Sequence, residues 1–600
     1  MKNERLKLGK ALQYLVLILF LAFFAYGDDF ECLDCHEDMT AESVHDGVVS
    51  CQSCHEDVED ESHMEEGAAA VECSMCHYEQ SVVSKSSMHY HLGEDGPSCT
   101  DCHDSHQVQD RVHPDSKISN LMIPETCGQC HEDIVIEYKN SVHWNEAKRG
   151  IKEAPVCTDC HITHNYNPGE NPNALADTRK MQEETCVRCH DDPVLRNKYE
   201  TLDNQAYSYR DSYHGMAVVR GDENAAMCVD CHNVHSILGR EHPESSVNEA
   251  NIVNTCSQCH DGASFVFANS YSHKAYNESA ATITHWVKKI YIWVIFIVIG
   301  GMVAHNLMIT ISHLIRERRK TKANMIPIPR FTKNEIVQHY LLLTSFIILA
   351  ITGFMLRMPE SWWAVGLTNL GISETIRQFI HRTSAVINGI TGIYHVYYLI
   401  ATSRGRDVLF SLFPGVNDAT EAVGNIAYYL GLKKDRPEFG QYDYAEKAEY
   451  WALIWGTVVM GATGAVLWFP TLIGDWAPYW LIKVSEIVHY YEAILATLAI
   501  IVWHWFFVLF NPETKMSFAW LDGKVSLSDY KHHHMRKFKY VLREWKLLKM
   551  GNIEKEELKP YTALVMETLE NHDYNPDDVF QKVIDGNEPL KEWLEKNINS

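Results

Sequence analysis

Nine Cys-x-x-Cys-His units consume all 18 cysteines of the chain. They are Cys32 and Cys35 with His36, Cys51 and Cys54 with His55, Cys73 and Cys76 with His77, Cys99 and Cys102 with His103, and Cys127 and Cys130 with His131. Cys157 and Cys160 with His161, Cys186 and Cys189 with His190, Cys228 and Cys231 with His232, and Cys256 and Cys259 with His260 complete the set. Two thiols this close along the chain can reach the two vinyl groups of one porphyrin, and the adjacent His can turn onto its iron. The spacing therefore predicts nine covalently attached c-type haems with no thiol left for disulfides. Zinc knuckles and thioredoxin-like redox pairs use related spacings, but nine units with His always adjacent and no unpaired Cys count against both.

An iron held on one side by His needs a ligand on the other, and a repeat supplies candidates. From residue 99 a pattern recurs three times: Cys-Thr/Val-Asp-Cys-His-x-x-His, then 28 or 29 residues later a Thr-Cys-x-x-Cys-His, then Ser-x-His or Ser-His. The first element offers His106, His164 and His235, and the last offers His143, His214 and His273. The more divergent first three units carry Ser-proximal His45, His63 and His89. These nine are the expected distal ligands. His91, His113, His242 and His285 remain as spares, two of them before Pro and read as turn residues. Iron with His on both sides leaves no open position for substrate, which favours electron transfer over chemistry at haem.

The elements that must position these residues differ in solvation. Residues 28–285 carry 47 acidic and 16 basic side chains, a net of −31, against about +5 for the rest. Such a field argues against nucleic acid as a partner and for basic proteins. A segment so polar cannot build an ordinary apolar core, so it is expected as sparse short helices packed around porphyrin, unfolded without it. Lys2, Arg5, Lys7 and Lys10 precede an uncharged run over 11–27, which reads as a secretory signal or an anchor and puts the acidic region outside the cytoplasm.

Beyond residue 286, five apolar segments, 290–314, 336–356, 383–402, 450–473 and 487–510, are each about long enough to cross a bilayer as helix. Trp286, Trp362, Trp363, Trp476 and Trp480 near their ends suit interfacial belts. Arg316, Arg318, Arg319, Lys320 and Lys322 follow the first, and Arg404, Arg406, Lys433 and Lys434 follow the third, which assigns those loops to the cytoplasm and the cysteine-bearing region to the periplasm. The expected division is a signal or anchor over 1–27, a nine-haem cytochrome c domain over 28–285, an extra span and cytoplasmic loop over 286–324, a four-helix membrane domain over 325–511 and a cytoplasmic tail over 512–600. Histidine inside a membrane is costly and functional by default. His381 and His395 are 14 residues apart and His489 and His504 are 15 apart, about 21–23 Å along one helix face. Facing pairs could thus hold one b-type haem near each side of the membrane, with Gly392 on the His381 face leaving room for a flat ring. Spacing alone selects His395 as the inner partner of His504.

From about residue 330 to 543 the sequence resembles the dihaem cytochrome b (gamma) subunit of respiratory formate dehydrogenases and nickel-iron hydrogenases. The matching pieces are Arg330 to His339 leading into Thr352-Gly353, Ile380-His381, Tyr450-Trp451, Thr463-Gly464, Trp468-Phe469-Pro470, the His489 and His504 segment, and Asp522 to Ser526 before His532 to His534. The resemblance implies that His381 pairs with His489 and His339 with His504, leaving His395 as the alternative to His339. His305 and His313 have no counterpart; polar helix packing is their ordinary reading, a quinone contact or proton relay the sharper one. The whole resembles the fused nine-haem c, dihaem b cytochromes of the inner membrane of metal-reducing bacteria, which implies a link to menaquinone. The expectation is a multi-pass protein of the bacterial cytoplasmic membrane passing electrons from menaquinol through two b haems and nine c haems to a basic periplasmic c-type cytochrome. The reverse direction uses the same parts, and a terminal reductase of a small oxyanion would want an open axial position. No phosphate-cradling loop or nucleotide fingerprint is present.

Overall fold

The computed structural model describes residues 36, 43–56, 58, 71–161, 164, 185–199, 205–270, 278–315, 326–478, 480–513 and 518–598. The segment 1–27, Cys32, Cys35, His63, His273 and the basic residues Arg316, Arg318, Arg319, Lys320 and Lys322 lie outside them. Two compact units result: Met1–Tyr199 with Glu223–Thr255, and Glu200–Asp222 with Cys256–Ser600.

The first unit is a succession of short helices, and the sequence repeat explains where they start. Helices Cys99–His103, Cys157–Cys160 and Cys228–His232 each begin on the first cysteine of a unit. The Asp between the cysteines, Asp101, Asp159 or Asp230, accepts the backbone N–H of the residue before that cysteine at 2.6–2.8 Å. One orphan donor at each helix start is thereby satisfied. The serine of Ser-x-His does the same for the next helix. Ser87 and Ser141 cap helices Met88–His91 and Val142–Lys148, placing His89 and His143 in the first turn. Asp104 and Asn233, straight after His103 and His232, adopt positive φ of 69° and 64°, so the chain turns away before the next histidine.

The second unit is built on five long helices: α1 Glu278–Ile315, α2 Lys333–Arg357, α3 Glu374–Ala401, α4 Tyr444–Trp468 and α5 Trp480–Ala499, the last continued by π-helical turns through Phe510. Capping boxes set two starts: Thr332 with Glu335 for α2 and Asp443 with Glu446 for α4. α2 packs on α3, α4 on α5 and α1 on α5. Among the described residues four helices, not the expected five, are both long and apolar enough to cross a membrane: Thr282–Ile315, Lys333–Arg357, Tyr444–Trp468 and Trp480–Phe510. α3 has the length, at 28 residues, but spends much of its composition on inward polar groups, burying Glu374, Arg377, Ser384 and Thr391.

The segment after residue 511 is a folded layer rather than a tail. Strand β1 Pro327–Pro329 pairs antiparallel with β2 Lys524–Ser526, Ile328 opposite Val525. Helices Met535–Lys549, Pro560–Glu570, Pro576–Asp585 and Glu588–Asn597 share one apolar core with Ile328, including Phe538, Leu542, Val565, Leu569, Phe580 and Leu594. The strand leading into α2 is thus part of that core.

Candidate functional site

Imidazole pairs recur through the chain at one separation. In the first unit the ring centroids are 6.1 Å apart for His45 and His77, 6.0 Å for His55 and His106, and 6.3 Å for His89 and His131. They are 6.1 Å for His103 and His164, 6.4 Å for His143 and His190, and 6.3 Å for His161 and His235. In the second unit His214 and His260 stand 6.0 Å apart, His339 and His504 6.4 Å, and His381 and His489 6.5 Å. An imidazole nitrogen binds a metal ion at about 2 Å and the ring centre lies about 1.1 Å behind it, so two rings on opposite sides of one ion stand about 6 Å apart. The residues therefore fit a six-coordinate haem iron between each pair. Every pair in the cysteine-bearing region joins one attachment-unit His to one candidate distal His. The remaining candidates, His63 and His273, lie outside the described residues.

A metal-binding imidazole must be neutral, and burial provides that. It pushes His103, His161, His232 and His260 below the usual histidine range. Burial and the facing His190 take His143 down to about 4. The spares are used otherwise. His91 Nδ1 bonds the Ser87 carbonyl at 2.7 Å, while His113 and His242 each accept a backbone N–H two residues on, at 3.3 Å, a local turn contact.

In the helical bundle the two pairs are oriented differently. His381 Nδ1 bonds Thr352 Oγ1 at 2.8 Å and His489 Nδ1 bonds Thr463 Oγ1 at 2.9 Å. Each hydroxyl donates its proton to a backbone carbonyl one turn back, Ile348 at 2.6 Å and Val459 at 2.7 Å. Each imidazole must then donate from Nδ1, which leaves the Nε2 lone pair for iron. The glycine after each threonine gives the ring its space: a Cβ on Gly353 would stand 3.5 Å from His381 Cε1, and one on Gly464 3.4 Å from His489 Cε1. A Cβ on Gly392 would meet no protein atom within 4 Å. The Thr-Gly pairs were visible in the sequence as motif letters; their duplication, each in register with a histidine, was the signal of their role.

His504, on the π-helical continuation of α5, donates from Nδ1 to Glu449 Oε1 at 2.5 Å. Its facing ring is His339. His395 has both nitrogens engaged, Nδ1 with Gln338 Oε1 at 2.7 Å and Nε2 with the Tyr450 hydroxyl at 3.0 Å. Spacing along a helix located His395 on the right level, and packing gave that level to His339. His305 bonds the Tyr444 hydroxyl at 2.8 Å beside Trp503, a polar bridge from α1 to α4.

Residues 330–521, about a third of the chain, match the family model of prokaryotic cytochrome b561. The match spans α2 to α5 and both bundle pairs, and identifies this stretch as a cytochrome b membrane domain of the electron-transferring kind. No curated protein matches the chain.

Proposed function

We propose that the protein oxidises menaquinol at the cytoplasmic membrane and passes the electrons through two b haems and nine c haems to a basic periplasmic c-type cytochrome. The carrying observation is the set of facing imidazole pairs at 6.0–6.5 Å, seven in the cysteine-bearing region and two in the bundle. Haem iron held this way carries single electrons between its ferric and ferrous states without binding substrate.

The residues behind the ligands favour outward flow. His504 leans on the Glu449 carboxylate, which makes its imidazole a stronger donor and stabilises the ferric state. His381 and His489 lean on neutral threonine hydroxyls. The inner site is therefore held at the lower potential, and electrons run downhill from it to the outer one. His on both sides of the iron also leaves an oxyanion no coordination position, which disfavours the terminal reductase.

The test is rapid mixing of the purified, membrane-embedded protein with a menaquinol analogue, reading b and c absorbance separately. The expected result is b reduction followed by c reduction, with a pyridine haemochrome count of nine c and two b haems per chain. Stoichiometric zinc in place of haem c, or c haems that reduce the b haems and quinone but never the reverse, would overturn this reading.

A further inference from the structure

The second compact unit contains one of the seven c-type pairs, His214 with His260, together with the outer end of the bundle. Both halves of that pair are anchored there. His214 lies on helix Tyr213–Val219, which Ser212 caps at one end and Arg220 closes at the other. Arg220 Nε donates to Glu374 Oε2 at 2.7 Å, with both side chains 1% exposed. Its Nη atoms reach the Met355 and Ile372 carbonyls at 3.2 and 3.3 Å. Tyr213 donates its hydroxyl to Glu374 Oε1 at 3.2 Å. On the other side of the pair, Ser264 donates to the Gly474 carbonyl at 3.2 Å, and Phe267, 5.0 Å from the His260 ring, packs with Ala263 and Ile482. A Cβ on Gly474 would come within 3.2 Å of Phe267 Cβ.

The Arg220 contact continues to the outer b-site ligand. Glu374 begins α3 and His381 stands two turns further on. Arg377, between them, donates to both Glu374 oxygens at 2.7–3.0 Å and from Nη1 to the Thr352 carbonyl at 3.0 Å. Thr352 is the residue whose hydroxyl receives His381 Nδ1–H. Arg220, Glu374, Arg377, Thr352 and His381 are thus one continuous chain of bonds. It buries two guanidinium groups against a single carboxylate, a local charge of +1 that an electron on the outer b iron would feel in low dielectric.

We infer that Arg220, Glu374 and Arg377 are positioning residues that lock the His214–His260 site to the outer end of the bundle and tune the His381 site, so that this c-type site is the one that exchanges electrons with the b haems. The inference rests on the electron-transfer reading above. The step moves one electron: the outer b iron goes from ferrous to ferric, the c-type iron from ferric to ferrous, and no bond or proton changes hands.

Charge gives the test a sign. Glu374→Gln leaves two guanidinium groups without their carboxylate, and the potential of one b component should rise. Arg220→Gln removes a positive charge, and the same component should fall, with the other b component unmoved. Arg220→Lys keeps the charge and should restore it toward the parent value. These are read by spectroelectrochemical titration of the full-length holoprotein in nanodiscs, haem content checked by pyridine haemochrome. Arg220→Gln and Gly474→Val, acting on opposite anchors, should each slow b-to-c electron transfer at least about tenfold through misplacement. Shifts of the same sign in Glu374→Gln and Arg220→Gln, no shift, or unchanged transfer rates in correctly loaded variants would overturn the inference while leaving the proposed function standing. Failure of the unaltered protein to pass electrons between b and c centres would overturn that function itself.

Discussion

At the scale of single residues, the two bundle sites depend on what stands behind each imidazole. His395 and His339 are the informative comparison, because spacing along the helix selects His395 as the partner of His504 and the family resemblance selects His339. His339 faces His504 at 6.4 Å, while His395 is held between Gln338 and Tyr450. His339→Leu should therefore lose one of two b haems, and His395→Leu should keep both, counted by pyridine haemochrome on purified protein. Loss of a b haem in His395→Leu with retention in His339→Leu would reverse the inner assignment. The sequence made the histidines themselves legible, since a charged or polar ring among apolar residues needs a reason. Helical spacing by itself chose His395 rather than His339, because the pairing is made by side chains of a different helix. Glu449 was equally hidden, lying 55 positions from the ring it contacts.

At the scale of elements, motifs that looked chemical turn out to be partly structural. The Asp inside Cys-Thr/Val-Asp-Cys-His and the Ser before x-His are helix caps that set where the histidines stand, so the repeat encodes positioning as well as the expected ligands. The Asp522-Gly523 pair is of the same kind. Gly523 adopts φ +75°, and its carbonyl accepts the N–H of Arg330 at 2.6 Å and of Phe331 at 3.0 Å. A Cβ there would collide with the Phe331 carbonyl. Gly523→Ala should cost about 1–3 kcal/mol from the unfavourable backbone alone, lowering the melting temperature of the layer formed by residues 524–597 and the strand before α2. Limited proteolysis after partial heating, read by mass spectrometry, should show that layer cleaved first. A variant melting like its parent would mean that the turn does not hold this layer in place. This folded layer escaped the sequence reading because its apolar residues are spread over four short charged helices, each too brief to announce a core by itself. The third bundle helix differs in another way: its apolar run reads as a span, while Glu374, Arg377, Ser384 and Thr391 on it are buried polar groups that lower its mean hydropathy.

At the scale of the whole molecule, charge and contact divide the chain differently. Composition breaks near residue 285, with a net of −31 over residues 28–285, whereas the compact units place Glu200–Asp222 and everything from Cys256 with the bundle. The first boundary records which solvent a segment meets and was readable from composition; the second records which residues touch and needed coordinates. In the proposed function the acidic field belongs to the region that hands electrons on, so it should select the acceptor. A basic cytochrome would be drawn in over a range set by the Debye length, about 10 Å at 0.1 M salt and about 3 Å at 1 M. Its second-order rate of reduction by the prereduced protein should thus fall steeply as salt is raised, and an acidic cytochrome of similar potential should react slowly at low salt and gain as screening removes the repulsion. Stopped-flow measurement with both acceptors across that salt range separates the two behaviours. Equal, salt-independent rates would mean that docking ignores the net charge and uses a local neutral patch instead, and the acceptor would then have to be sought by shape and not by charge.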